Sequence, residues 1–187
     1  RHFGLFDRGL VAPGQRADLV LLEDFETCAV KSVICRGSLV TPDRFKTRPD
    51  VPLVGLESIK LRPVTAETFR VPASGTGSPP VIGVRPGQIL TDRLSVPVAR
   101  RDGALVADVA SDVLKVAVLG RHNTEGRVGR GFVKGFGITR GAIASSIGHD
   151  SHNVCVIGCN DADMAVAVNR LIELKGGFAA AAGGKVV

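Results

Sequence analysis

The chain has 187 residues, 44% of them apolar, enough to build one domain or two small ones with real cores, which excludes a wholly disordered protein. Apolar runs such as 19–22 and 178–182 fall far short of the roughly 20 residues of a membrane span, and the opening has no leader-like succession, so the sequence predicts a soluble, cytoplasmic protein with no membrane partner. The 24 basic and 18 acidic side chains leave +6, but a division at Arg85 gives 12 against 9 on each side, which argues against the concentrated basic arm of a nucleic-acid binder.

Residues 1–6 read as the last turn of a helix that continues upstream. After the turn cluster at 9–14, residues 17–22 and 30–36 are strand candidates, Gly37 is a hairpin signal, and 37–40 can open a third short strand. Two or three strands are not independently stable, so this segment needs a sheet supplied from elsewhere. Seven of the ten prolines fall in 41–80, which excludes long helices there and leaves 51–56 and 69–71 as short edge strands. The Gly/Ser/Pro run at 75–80 reads as the linker that divides the chain.

From Val81 the pattern is one of regularly spaced strands at 81–84, 89–94, 114–119, 141–147 and 154–157. Residues 121–140 carry Arg121, Arg127, Arg130, Lys134 and Arg140 against Glu125, with only Phe132 and Phe136 able to stack on a base. They read as a solvated basic loop, or one facing an anionic ligand, rather than a nucleic-acid surface. Residues 161–175 are the one strong helix: Asn160 is its N-cap, Asp161 and Asp163 suit its positive end, and Met164, Val168, Leu171, Ile172 and Lys175 follow its period. Gly176 and Gly177 stop it, and 178–182 reads as a buried strand whose alanines permit close helix packing. Strand, helix and strand make a βαβ-like unit, without the glycine fingerprint of a dinucleotide site.

The four cysteines, Cys28, Cys35, Cys155 and Cys159, have neither CxxC nor other zinc-site spacing and read as reduced and structural. Cys159, beside the helix start, stands where a thiol pKa can be lowered.

His149, Asp150, Ser151, His152 and Asn153 form a polar pentad between two apolar runs, a place where loops carry function. Four readings are open on these residue types: a tight turn closed by Asp and Asn, a substrate or proton-handling site built on the imidazoles, a pair of metal ligands oriented by Asp150, and a serine nucleophile, which lacks the GxSxG elbow. His122 follows the 114–119 strand, where it is either structural or, with Arg121 and Asn123, meets a polar heterocycle.

These residues carry a resemblance. Residues 12–22 (APGQRADLVLL) and 33–37 (VICRG) resemble the segment that closes the small β domain of amidohydrolase-superfamily enzymes. Residues 131–137 (GFVKGFG), 142–146 (AIASS), 149–153 and 160–172 (NDADMAVAVNRLI) resemble the C-terminal domain of bacterial-type adenine deaminases. The resemblance implies hydrolytic deamination of adenine to hypoxanthine and ammonia, with manganese or iron activating water in a (β/α)8 barrel. The barrel's His-x-His and other ligands are absent here, so it implies a C-terminal portion, inactive alone, that works with the barrel-containing remainder, as a homo-oligomer, with the metal bound outside this chain.

The expected fold is α/β or α+β, the end of a small β-sandwich-like domain followed by a layered α/β domain. Residues 1–10 are then the tail of a barrel helix, 11–80 the small β domain and linker, and 81–187 the deaminase-type C-terminal domain. His149, Asp150 and His152 are candidates for proton handling, and His122 and Asn153 for contact with the purine. The alternatives are a non-catalytic interaction or oligomerisation module working through 141–157, and another amidohydrolase acting on a hydantoin or related cyclic amide.

Overall fold

The computed structural model describes residues 2–46, 49–122, 124, 126–148 and 151–187. The chain forms two compact units, Arg1–Leu53 and Val54–Val187.

In the first unit, residues 2–10 run through turns and bends. An antiparallel sheet follows, β1 (Leu19–Asp24), β2 (Ala29–Cys35) and β3 (Ser38–Leu39) in that order. Arg36 and Gly37, both at positive φ, make the two-residue turn between β2 and β3. The Asp18 carboxylate accepts the Arg36 N–H at 2.7 Å and locks that turn to the start of β1. None of the described residues of this unit is buried, and Val20, Leu21 and Val30 are exposed, so the three strands have no core of their own.

The second unit is built on a mixed eight-stranded sheet. In chain order its strands are β4 (Val71–Pro72), β5 (Val81–Gly83), β6 (Asp92–Leu94), β7 (Arg100–Arg101), β8 (Ala104–Leu105), β9 (Val113–Leu119), β10 (Val128–Lys134), β11 (Ala142–Ser145), β12 (Val154–Gly158), β13 (Phe178–Ala182) and β14 (Lys185–Val186). The large sheet has the order β14-β13-β11-β12-β9-β10-β5-β6, and β4-β8-β7 form a separate small sheet. β10 pairs with β5 in parallel and the other ladders of the large sheet are antiparallel. With one α-helix among the described residues, this is an α+β fold.

β9 is central because its sequence, VLKVAVL, can be buried on both faces. Helix α1 (Asp161–Leu174) starts where Asn160 Oδ1 accepts the Asp163 N–H at 2.8 Å. It ends where Lys175 turns left-handed and Gly176 donates to the Leu171 carbonyl. Its buried face, Met164, Ala167, Val168 and Leu171, packs on Ala142, Ala144, Val156 and Ala181, whose small side chains let the helix come close to the sheet. β12, α1 and β13 form the expected unit, with β11 inserted between the two strands so that they run parallel.

The structure departs from the expected elements most in the proline-rich and basic segments. The compact units part at Leu53/Val54, and the proline-rich segment that follows packs on the helix. Leu61 and Phe69 are buried in the α1 core, and the Asn169 amide accepts the Val64 N–H at 2.8 Å while donating to the Val64 carbonyl at 2.9 Å. One side chain thus stands in for a strand partner where prolines prevent a ladder. Residues 51–56 form no strand. Within the supposed basic loop, residues 128–134 form β10, with Phe132 and Val133 buried on its opposite faces. Its glycines mask the pattern, and its cations are bonded within the protein, Arg130 to the Thr68 carbonyl and Lys134 to that of Ser111.

Asp163 joins the helix start to the end of the sheet. Its carboxylate accepts N–H bonds from Gly184 at 2.7 Å and Gly183 at 3.3 Å, and one from the Asn160 amide at 2.7 Å. The Asn160 bond first, and then the Gly184 N–H, hold its pKa below the ordinary 3.8. A carboxylate with a depressed folded pKa contributes stability that is complete above the unfolded value and is lost as pH falls through the folded one. Asp163→Ala should therefore cost about 2 kcal/mol at pH 7. Its denaturation midpoint and that of the parent should converge as the pH is taken below 3.8, and an equal gap at both pH values would contradict this account.

Candidate functional site

The register that pairs Val154 with Leu119 sets two loops side by side at one end of the central strands. One leaves β9 through Gly120, Arg121 and His122, and the other returns to β12 through Ser151, His152 and Asn153. Sequence separation hides this meeting, and the antiparallel pairing produces it. His149 and Asp150 lie outside the described residues, as does Asn123.

Asn153 ties the loops together. Its Oδ1 accepts the Arg121 backbone N–H at 3.3 Å and its Nδ2 donates to Ser151 Oγ at 3.1 Å. His152 is exposed and has φ +49°, a left-handed conformation that costs a non-glycine residue about 1 kcal/mol. Its Nδ1 accepts the Gly148 N–H at a long 3.4 Å. His122 is exposed beside Arg121.

Arg121 does not reach outward to a heterocycle. Its Nη1 donates to the Ser146 carbonyl at 3.1 Å and its Nη2 to Ser58 Oγ at 2.9 Å, while its Nε is buried without a partner among the described residues. Sequence reasoning missed this, since these partners lie 25 and 63 residues from Arg121 and nothing local links them to it.

On the sheet face away from α1 lies a groove of about 520 Å³ lined by Phe136, Ile143, Ile147, Cys155, Ile157 and Phe178 among others. Its walls are almost wholly carbon, with the Cys155 thiol as the titratable group among the lining residues. Burial pushes the Cys155 thiol up. None of the four cysteines forms a disulfide. Cys159 is also pushed up, by burial first and then by the Asp163 and Asp112 carboxylates, so the lowered pKa expected from the helix start is overturned.

A divalent metal does not fit this chain's described residues, among which no three His, Cys, Asp or Glu side chains converge. No described helix is long and apolar enough to cross a membrane.

A family profile described as the adenine deaminase C-terminal domain matches residues 88–187, and relatives extend the match over nearly the whole chain. An adenine deaminase of Methylobacterium nodulans is 56% identical over 99% of this chain and 33% of its own length. That of Gluconobacter oxydans is 53% identical over 99% of this chain and 33% of its own. The chain belongs to the adenine deaminase family. It spans about a third of the length of these curated relatives, as it does of adenine deaminase 1 of Rhizobium johnstonii, 52% identical over 100% of this chain and 32% of its own length.

Proposed function

We propose that this chain is the C-terminal part of an adenine deaminase, a hydrolase of purine salvage that converts adenine and water to hypoxanthine and ammonia. The observation that carries the reading is the alignment of nearly the whole chain, at 52% to 56% identity, with proteins named adenine deaminase. In the reaction the bond from the purine ring to the exocyclic nitrogen breaks, water supplies the oxygen bonded to that ring carbon, and the nitrogen leaves as ammonia. A barrel-containing remainder holds the manganese or iron, and the enzyme works in the cytoplasm as a homo-oligomer. Residues 11–80 belong to its small β domain and linker, which the exposed apolar strands of the first unit support.

The loop ending at Asn153 is assigned to the substrate. His149, Asp150 and His152 handle the proton destined for the leaving ammonia or face purine nitrogens, and His122 and Asn153 flank them. Support comes from the juxtaposition of His122, His152 and Asn153 on neighbouring loops, tied by the bond from the Arg121 N–H to Asn153. Full-length protein should release ammonia from adenine, and this chain alone should not. His152→Ala in the full-length protein should lower kcat about 100-fold. Unchanged turnover with an unchanged melting temperature would leave the loop a structural turn.

A second reading, an oligomerisation module working through 141–157, is favoured by the open apolar groove with its exposed Ile143, Ile147 and Phe178. A self-associating chain that tolerates substitutions throughout 149–153 would support it.

A further inference from the structure

Arg121 bonds to four residues on three segments that are remote in sequence. Its N–H donates to Asn153 Oδ1, its carbonyl accepts the Lys60 N–H at 2.7 Å, and its guanidinium reaches the Ser146 carbonyl and Ser58 Oγ. Ser146 is itself buried, its Oγ accepting the Gly177 N–H at 2.9 Å and its own N–H donating to the Gly177 carbonyl at 3.0 Å. The loop that carries His152 is therefore gripped at both ends by one residue, at its departure through the Ser146 carbonyl and at its return through Asn153. The segment holding Ser58 and Lys60 braces that residue from a third side.

From this arrangement we propose that Arg121 is a positioning residue, fixing Asn153 relative to Ser146 and with them the placement of His152, without touching the substrate. The proposal rests on the reading that this loop works on the purine. A guanidinium suits the task because its planar fork reaches acceptors on two segments at once, which the single ammonium of lysine cannot do in the same geometry. The loop also needs an external hold, since His152 occupies a backbone conformation it would not adopt by preference.

The test uses the full-length enzyme with Arg121→Ala, Arg121→Lys, His152→Ala and the double variant Arg121→Ala/His152→Ala. Arg121→Ala should lower kcat for adenine about 10- to 100-fold with KM nearly unchanged, the scale of a misplaced group. Arg121→Lys should restore part of the loss, and it also provides the readout if the alanine variant fails to fold. In the His152→Ala background the arginine substitution should add no further loss, because both changes act through one imidazole. Amide hydrogen exchange in 147–153 should rise at least tenfold in the Arg121 variants while that of α1 is unchanged. Multiplicative losses in the double variant, or unaltered exchange in 147–153, would overturn the proposal. If His152→Ala alone keeps full turnover, the proton-handling reading fails, and the exchange measurement still decides whether Arg121 holds the loop.

Discussion

Asp161→Ala is expected to destabilise the second unit by about 3–5 kcal/mol, far more than removal of the lysine it pairs with. Lys115 sits in the middle of β9 with its side chain 3% exposed, and its ammonium donates to both Asp161 carboxylate oxygens, at 2.7 and 2.8 Å, and to the Phe69 carbonyl at 3.0 Å. Without Asp161 the buried cation keeps one neutral acceptor. The asymmetry follows from exposure, since the Asp161 side chain is 26% exposed and can turn to water when its partner is lost. Lys115→Met, close in volume, should therefore cost about 1 kcal/mol or less. Chemical denaturation of the full-length protein, with hydrogen exchange of β9 and α1, measures both. Equal losses for the two variants would mean that desolvation of the ammonium does not govern the pair. The pair matters to the site because β9 is the strand that leads through Gly120 into Arg121.

Gly141→Ala is expected to cost about 3–4 kcal/mol, combining a left-handed backbone with an overpacked contact. Gly141 has φ +77°, and a Cβ there would collide with the Ala181 carbonyl oxygen and lie 3.1 Å from the Ala182 Cβ. The strand that must yield is β13, which lies between β11 and the terminal strand β14 and helps seat α1. Gly87→Ala is the control, since Gly87 has a similar φ of +72° and nothing within 4 Å of the place a Cβ would take. It should lose only the conformational part, about 1 kcal/mol. A comparable loss at both sites would show that backbone strain, and not the approach of β13, sets the cost at Gly141. Gly158→Ala offers an intermediate case without positive φ, its Cβ falling 2.5 Å from Met164 Cγ and 2.8 Å from the Ala142 Cβ.

Helix α1 was legible in the sequence because Asn160, the two acids after it and the spacing of Met164, Val168 and Leu171 all act within a few residues. The strand at 178–182 was legible for a related reason, as the glycine pairs around it rule out a continuing helix, but the expected burial holds only for Ala181, and Phe178 is exposed. β10 was not legible. Two glycines interrupt its alternation, and what makes it a strand is its place between β9 and β5. The segment around Val64 was read as linker because its prolines disable local structure, while its order comes from Asn169, 105 residues away.

The candidate site divides the same way. His122, His152 and Asn153 stood out as polar residues at the edges of apolar runs. Ser58 did not, because nothing in its neighbours distinguishes it, and Ser146 stood out only as part of the 142–146 resemblance and not as a partner of Arg121.

The sequence by itself determined the elements whose signals are local: the capped helix, the apolar central strands, the small residues beneath the helix, and the motifs that place the chain in its family. Tertiary structure alone decided which loops meet, since the contacts joining Ser58, Arg121, Ser146 and Asn153 span up to 63 residues and depend on the order in which strands pair. It also turned Arg121 from a candidate ligand of a heterocycle into an internal brace. A charged side chain faces outward or inward according to which carbonyls and hydroxyls the folded chain brings within hydrogen-bonding distance, and neighbouring residues carry no record of that.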